Sequence, residues 1–148
     1  MRVEVYLLLL ILATGSALWL GTRGEKWVGA TVFAGNALTF VLERTFGTAY
    51  SSVPLVYLGL DAALAALLCA VAVRYPSWVA ICVSAFQING TLGHLVKLLA
   101  PHTIPFSYAF LLKFWAWPMV FAMLLGRGLP RMRVVLKARD WPLSARPG

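Results

Sequence analysis

Long apolar stretches separated by short polar segments dominate the pattern of the chain. Five such stretches occur, and the shortest, the second, has 16 residues. A membrane-spanning helix needs about 17–25 predominantly apolar residues, whereas strands of membrane barrels alternate apolar and polar positions. The pattern therefore predicts an all-α integral membrane helical bundle with five transmembrane helices. The expected spans are residues 3–20, 27–42, 53–73, 78–100 and 106–125.

Polar, glycine-containing or proline-containing segments join the stretches. We expect a charged loop at residues 21–26, a linker at 43–52 and tight turns at 74–77 and 101–105. Pro76 disfavours helical conformation in the residue before it, so a helix ends there. The turn of four residues makes the third and fourth spans an antiparallel hairpin. The first 126 residues then form one bundle, and residues 127–148 form a tail.

Composition narrows the class of protein. Of the 148 residues, 61% are hydrophobic and only 12% are charged. A soluble domain carries about 25% charged residues, and a disordered chain has low hydrophobicity. Both classes are therefore excluded, and a multi-pass membrane protein remains.

The position of the basic residues predicts the orientation. The formal net charge is +8, and six of the thirteen Lys and Arg residues follow Gly126. With the N-terminus outside and the C-terminus inside, nine basic residues are cytoplasmic and three external, as the positive-inside rule requires. The tail has no nucleic-acid-reading fold, so we expect it to lie on anionic membrane lipids. Its proposed lipid-anchoring residues are Arg127, Arg131, Arg133, Lys137 and Arg139.

Aromatic residues mark the two membrane interfaces in this arrangement. Trp19, Trp27 and Trp78 are expected at the inner interface, and Tyr57 is expected near the outer one. Tryptophan and tyrosine favour these levels because their rings combine an apolar body with a polar group.

Polar side chains within the spans form a layer. Asn36, Asp61, His94 and Lys113 each lie roughly 9–12 Å below the outer boundary, counted at a rise of about 1.5 Å per residue. Asp61 is the only acid within a span at this level, and pairing with His94 or Lys113 would offset the cost of burying its charge. Gln87 recurs with His94 on one face of the fourth span.

This layer has several interpretations. It is structural hydrogen bonding between helices, a site for a small ligand or lipid, or a device for proton or ion coupling. We rank catalysis last, because no serine or cysteine nucleophile is linked to His94 in the sequence. We expect no metal site and no cofactor, since the only histidines are His94 and His102, and His102 lies in a turn.

The segment Arg74 to Lys97, with Trp78, Gln87 and His94, resembles a segment of small uncharacterised multi-pass bacterial inner-membrane proteins. The resemblance covers the third and fourth spans. It implies localisation in the bacterial inner membrane and carries no activity.

The sequence thus leads to a non-enzymatic membrane protein, expected to be a small accessory or scaffold subunit. Its partners would be membrane lipids together with a membrane protein or further copies of the chain, and not nucleic acid. The alternative is a small-solute or proton-linked carrier, or a lipid- or ligand-binding protein, that uses Asp61, His94 and Lys113 as its site.

Overall fold

A computed structural model describes residues 3–46, 55–99 and 105–128 of the chain. These residues form an all-α bundle of five helices, and no strand occurs among them. The helices are α1 (Val3–Leu20), α2 (Arg23–Phe46), α3 (Leu55–Arg74), α4 (Trp78–Leu99) and α5 (Pro105–Gly128).

The helices form a ring in chain order. Each helix packs against the next one along the chain, and contacts between α1 and α5 close the ring. α2 also touches α4 across the interior. Because successive helices are antiparallel, α1 and α5 run in the same direction where they meet.

The link between α1 and α2 consists of Gly21 and Thr22 alone. The Glu25 backbone N–H lies 3.4 Å from the Thr22 hydroxyl oxygen, and the Thr22 backbone N–H donates to the Glu25 carboxylate at 2.8 Å. This reciprocal pair is a capping box, which satisfies free N–H groups at the start of a helix. The expected loop at 21–26 is therefore wrong from residue 23 onward, because the cap starts the helix there.

The link between α3 and α4 comprises residues 75–77, one residue shorter than the predicted turn at 74–77, because Arg74 is the last residue of α3. The Ser77 hydroxyl oxygen accepts a hydrogen bond of 3.1 Å from the Ala80 backbone N–H, and this caps α4. A Cβ atom on Gly24, in the first turn of α2, would lie 2.8 Å from the Tyr75 Cβ atom. Both short links therefore lie at the same end of the bundle, which we call the linker end.

The second and fifth helices are longer than the apolar pattern indicates. α2 continues to Phe46, so residues 43–46 of the expected linker are helical. Arg44 in its last turn lies over the Phe40 ring at 5.0 Å and carries the positive charge that a helix C-terminus favours. α5 runs through Pro118. The remaining linker, the turn at 101–104 and the tail from residue 129 lie outside the described residues.

We call the half of the bundle nearest the linker end the linker half. It contains the apolar core. Its members are small or medium apolar residues contributed by all five helices. A Cβ atom on Gly29 would lie 2.7 Å from the Ala17 Cβ atom, and one on Gly126 would collide with Val79. Small residues thus bring α1 close to α2 and α5 close to α4.

Large apolar side chains cover the outside of the bundle. Ile11 is 58% exposed, Phe40 54%, Ile81 57% and Phe121 46%. By length and composition, α3 and α4 are candidate membrane spans, while α1 and α5 contribute the shorter apolar helices Glu4–Leu20 and Phe114–Gly126. Trp19, Trp27 and Trp78, which the sequence assigns to the inner interface, are exposed at the linker end.

Candidate functional site

Asp61 and His94 form an ion pair or charge-assisted hydrogen bond in the half of the bundle farther from the links. Asp61 lies in the second turn of α3 and His94 in the last two turns of α4, and these two helices are antiparallel neighbours. Nε2 of His94 lies 3.0 Å from Oδ2 of Asp61. The His94 side chain is 6% exposed and that of Asp61 23%, so the imidazole is buried while the carboxylate reaches open space.

Gln87 and Asn36, two further residues of the expected polar layer, lie beside this pair. The Gln87 amide nitrogen is 3.5 Å from the backbone carbonyl oxygen of Asp61, at the limit of a hydrogen bond. Asn36 makes its described hydrogen bonds to other residues. Its Nδ2 donates to the Val32 carbonyl at 2.9 Å, and its Oδ1 accepts from the Tyr6 hydroxyl at 3.1 Å.

The other predicted residues have no described side chains. Lys113 lies in α5, one helical turn before Ala116 and Trp117, but its side chain is outside the described part of the structure. The same holds for the side chain of Arg127 at the end of α5. Arg131, Arg133, Lys137 and Arg139 lie wholly beyond the described residues.

A cavity of about 720 Å³ occupies the centre of this half, which we call the cavity half. Residues from all five helices line it, and Asn36, Asp61, Gln87 and His94 are among them. Small-molecule sites have volumes of about 300–1,000 Å³, mostly apolar walls and a few convergent polar groups. This cavity has that volume and that character.

Aromatic side chains form part of the cavity wall at the seams between helices. The Tyr6 and Trp117 rings meet edge to face with centroids 5.7 Å apart, which joins α1 to α5. The Phe86 and Trp115 rings stack at 6.1 Å, which joins α4 to α5. All four residues line the cavity. Large aromatic rings therefore make the described contacts between these helices at the cavity wall.

Tyr57 is a cavity residue that the sequence analysis considers only as an interface marker. We expect it at the outer interface, but its side chain is only 4% exposed and lines the cavity. It lies in the first turn of α3, one turn before Asp61 on the same face.

Tyr6 is a site residue that the sequence analysis misses. It is 30 residues from Asn36, and the link between α1 and α2 lies midway between them. Residues equidistant from a tight link meet in an antiparallel hairpin. The same symmetry about residues 75–77 relates Asp61 to Thr91, about one turn before His94 on α4. Spacing about each link is therefore the signal that could have identified Tyr6.

The described lining side chains are suited to binding and orienting a ligand rather than to nucleophilic catalysis. Thr39 is the one aliphatic hydroxyl among the described lining residues, and it donates to the Gly35 carbonyl at 3.0 Å. Neither serine nor cysteine occurs in this described lining. No group of three His, Cys, Asp or Glu side chains that could hold a metal ion occurs in residues 3–46, 55–99 and 105–128.

Comparison with known proteins adds no relative. No protein-family model matches the chain, no curated protein matches it, and no solved structure matches it. The resemblance to small bacterial inner-membrane proteins accordingly stays a prediction.

Proposed function

We propose that the chain is a multi-pass membrane protein that binds a small molecule in the central cavity without catalysing a reaction on it. The observation that carries this proposal is the Asp61–His94 pair, with 3.0 Å between Nε2 and Oδ2, at the wall of a cavity of about 720 Å³. Structural hydrogen bonds between helices need no such space. Of the alternatives raised by the sequence, the cavity favours a ligand-binding protein.

The membrane assignment is part of the proposal. The exposed apolar side chains on all five helices support a five-span arrangement, because lipid would cover them. The distribution of Lys and Arg supports an external N-terminus and a cytoplasmic linker end. In this orientation the cavity half faces the outside of a bacterial inner membrane, and the tail lies on the cytoplasmic leaflet.

Two features support a binding role over a reaction or a channel. The described cavity lining lacks the serine or cysteine nucleophile that His94 would activate. Leu10, Leu68 and Val120, each no more than 3% exposed, close the cavity toward the linker half. A solute would cross only if this core opened, so carrier activity requires a rearrangement that binding does not.

A role as a subunit of a larger assembly is compatible with ligand binding and has its own support. On α3, Ala62, Ala63, Ala66 and Ala70 are exposed, and a Cβ atom on Gly59 would meet nothing within 4 Å. Outward-facing small residues allow a second membrane helix to approach closely. The partner would be a membrane protein or another copy of this chain.

Native mass spectrometry of the full chain in lipid nanodiscs tests the binding role. We expect a small molecule retained in stoichiometric amount and lost in Asp61→Asn and His94→Gln. Ser84→Ala is the matched control on α4, because Ser84 is buried in the linker half and its described hydrogen bond is to the Ala80 carbonyl at 2.7 Å. Retention that is unchanged in both site variants, or no retained molecule in the wild type, would contradict the proposal.

A further inference from the structure

We infer that the ligand is a membrane-soluble amphiphile, which reaches the cavity from within the bilayer between α1 and α2 and donates a hydrogen bond from its head to Asp61. This inference rests on the proposed binding function and names the class of ligand and its route.

Among the described lining residues, only those of α1 and α2 reach the outer surface. Five lining residues are exposed, and all of them belong to α1 or α2. Leu7 is 43% exposed, Ile11 58%, Phe33 49% and Phe40 54%, and Ala37 lies between the two phenylalanines. The described lining residues of α3, α4 and α5 are buried or half-buried. A side chain that both lines a cavity and is exposed marks an opening, so we call these five residues the portal.

The packing of α1 and α2 explains why an opening forms there. At the linker end the two helices touch through Ala17 and Gly29. At the portal, the described bridge between them is the Tyr6 side chain, whose hydroxyl lies 3.1 Å from Asn36 Oδ1. A long side chain spans a separation that small residues close at the other end. The described contacts between α1 and α2 thus change from small residues at the linker end to one long side chain at the portal.

The chemistry of the portal selects an apolar chain. All five portal residues are apolar, and in the proposed membrane arrangement they face lipid. A water-soluble ion or sugar would lose its hydration there without compensation. An alkyl or prenyl chain would exchange lipid contacts for similar contacts with Leu7, Ile11 and Phe33.

The chemistry of the interior selects the head. Oδ2 of Asp61 is held by His94, whereas Oδ1 has no hydrogen-bond partner among the described residues. A carboxylate oxygen at a cavity wall accepts hydrogen bonds. The head is therefore a donor, either a hydroxyl or an ammonium group. A carboxylate or phosphate head would face repulsion from Asp61, and also from Glu43 at the cavity wall.

Photolabelling of the full chain in nanodiscs tests this assignment. The probes are a diazirine-bearing fatty alcohol and the matching fatty amine, followed by peptide mapping. We expect labels concentrated in the peptides that hold Phe33–Phe40 and Trp115–Trp117. Oleyl alcohol should compete about tenfold better than oleyl methyl ether, which lacks the donor, because one hydrogen bond to a charged group contributes about that factor. Oleate, with an anionic head, should not compete.

Two variants separate the head groups and test the route. Asp61→Asn should lower amine labelling about tenfold and alcohol labelling less, since only the amine loses a charge partner. If the amine loses no more than the alcohol, the ligand head is the hydroxyl form. Ala37→Trp should slow labelling by filling the portal, while Ala34→Trp, on an exposed part of α2 outside the lining, should leave the rate unchanged.

Three results would overturn the inference. They are uniform labelling of all lipid-facing peptides, equal competition by the methyl ether, and stronger competition by oleate. A water-soluble molecule retained in native mass spectrometry and lost in Asp61→Asn would then leave the proposed function standing without this ligand class. If that experiment also retains nothing, both proposals fail together.

Discussion

The linker half and the cavity half are built from the same five helices, but side chains of different size and polarity fill them. In the linker half, Ala17, Gly29 and Ala80 bring the backbones close, and the core between them is closed. In the cavity half, Tyr6, Phe86, Trp115 and Trp117 stand at the seams, and the space between the helices stays open. Residue size that changes along each helix thus gives one bundle a closed core in one half and a cavity in the other.

The largest expected loss of stability comes from a variant that disrupts packing in the linker half. Gly29→Leu should destabilise the fold by about 3 kcal/mol, because its Cβ atom alone would lie 2.7 Å from the Ala17 Cβ atom. Unfolding by a denaturing detergent, followed by circular dichroism, measures the change. Gly59→Leu is the control, since a Cβ atom there meets nothing within 4 Å. Equal losses in the two variants would mean that the helices are not closely packed at Gly29.

Removing a side chain from the boundary between the halves has a smaller effect. Leu68, only 1% exposed, lies in the core and at the cavity wall. Leu68→Ala should cost about 2 kcal/mol, the lower end for buried leucine, because in the proposed membrane arrangement lipid already offers an apolar surrounding to the unfolded helix. Leu64→Ala, one turn nearer the portal and half-buried, should cost less in the same unfolding measurement. A larger loss at Leu64 would reverse the contrast between the halves.

Removing a hydrogen bond between helices in the cavity half should lower the stability only slightly. Tyr6→Phe removes the hydroxyl that bonds Asn36 at 3.1 Å but keeps the ring against Trp117. We expect a loss of about 1 kcal/mol in stability and faster probe labelling through the portal. Tyr57→Phe in the same cavity serves as the comparison, because Tyr57 lies on α3, away from the portal. Slower labelling in Tyr6→Phe would argue against the route between α1 and α2.

The smallest expected effect on stability is a gain rather than a loss. Gly90 lies in α4 at the cavity wall, and a Cβ atom there would meet nothing within 4 Å. Gly90→Ala should therefore stabilise the chain by about 0.8 kcal/mol through helix propensity alone. Thermal unfolding monitored by circular dichroism should show a small upward shift. Destabilisation would indicate that the helices around Gly90 stand too close together to admit a methyl group.

The sequence predicts the elements of this fold better than their spacing. Pro76 and the polar turn around it locate the hairpin of α3 and α4, because proline acts on the residue next to it. The start of α2 is missed because Arg23, Gly24 and Lys26 resemble a loop in composition. The capping box of Thr22 and Glu25 starts the helix at residue 23, and it depends on these two positions alone.

The candidate site is predictable in part for a similar reason. Depth along a helix follows from counting residues, and counting alone brings Asp61 and His94 to one level. The cavity beside them depends on how far apart five helices stand, which is set by the combined size of residues on different helices. The inward direction of Tyr57 depends on the rotation of α3 about its axis, which its apolar sequence does not specify.

The seam between α1 and α5 also has a consequence for biosynthesis. Among the five helices α1 leaves the ribosome first and α5 last, and the ring closes only when Trp117 reaches Tyr6, with their ring centroids 5.7 Å apart. Chains emerge at about 5–20 residues per second, so the first four helices exist for seconds before the fifth is complete. A nascent chain that stops before α5 would hold the Asp61–His94 pair on a cavity wall that lacks its α5 side. The cavity is therefore the last feature of the bundle to be completed during synthesis.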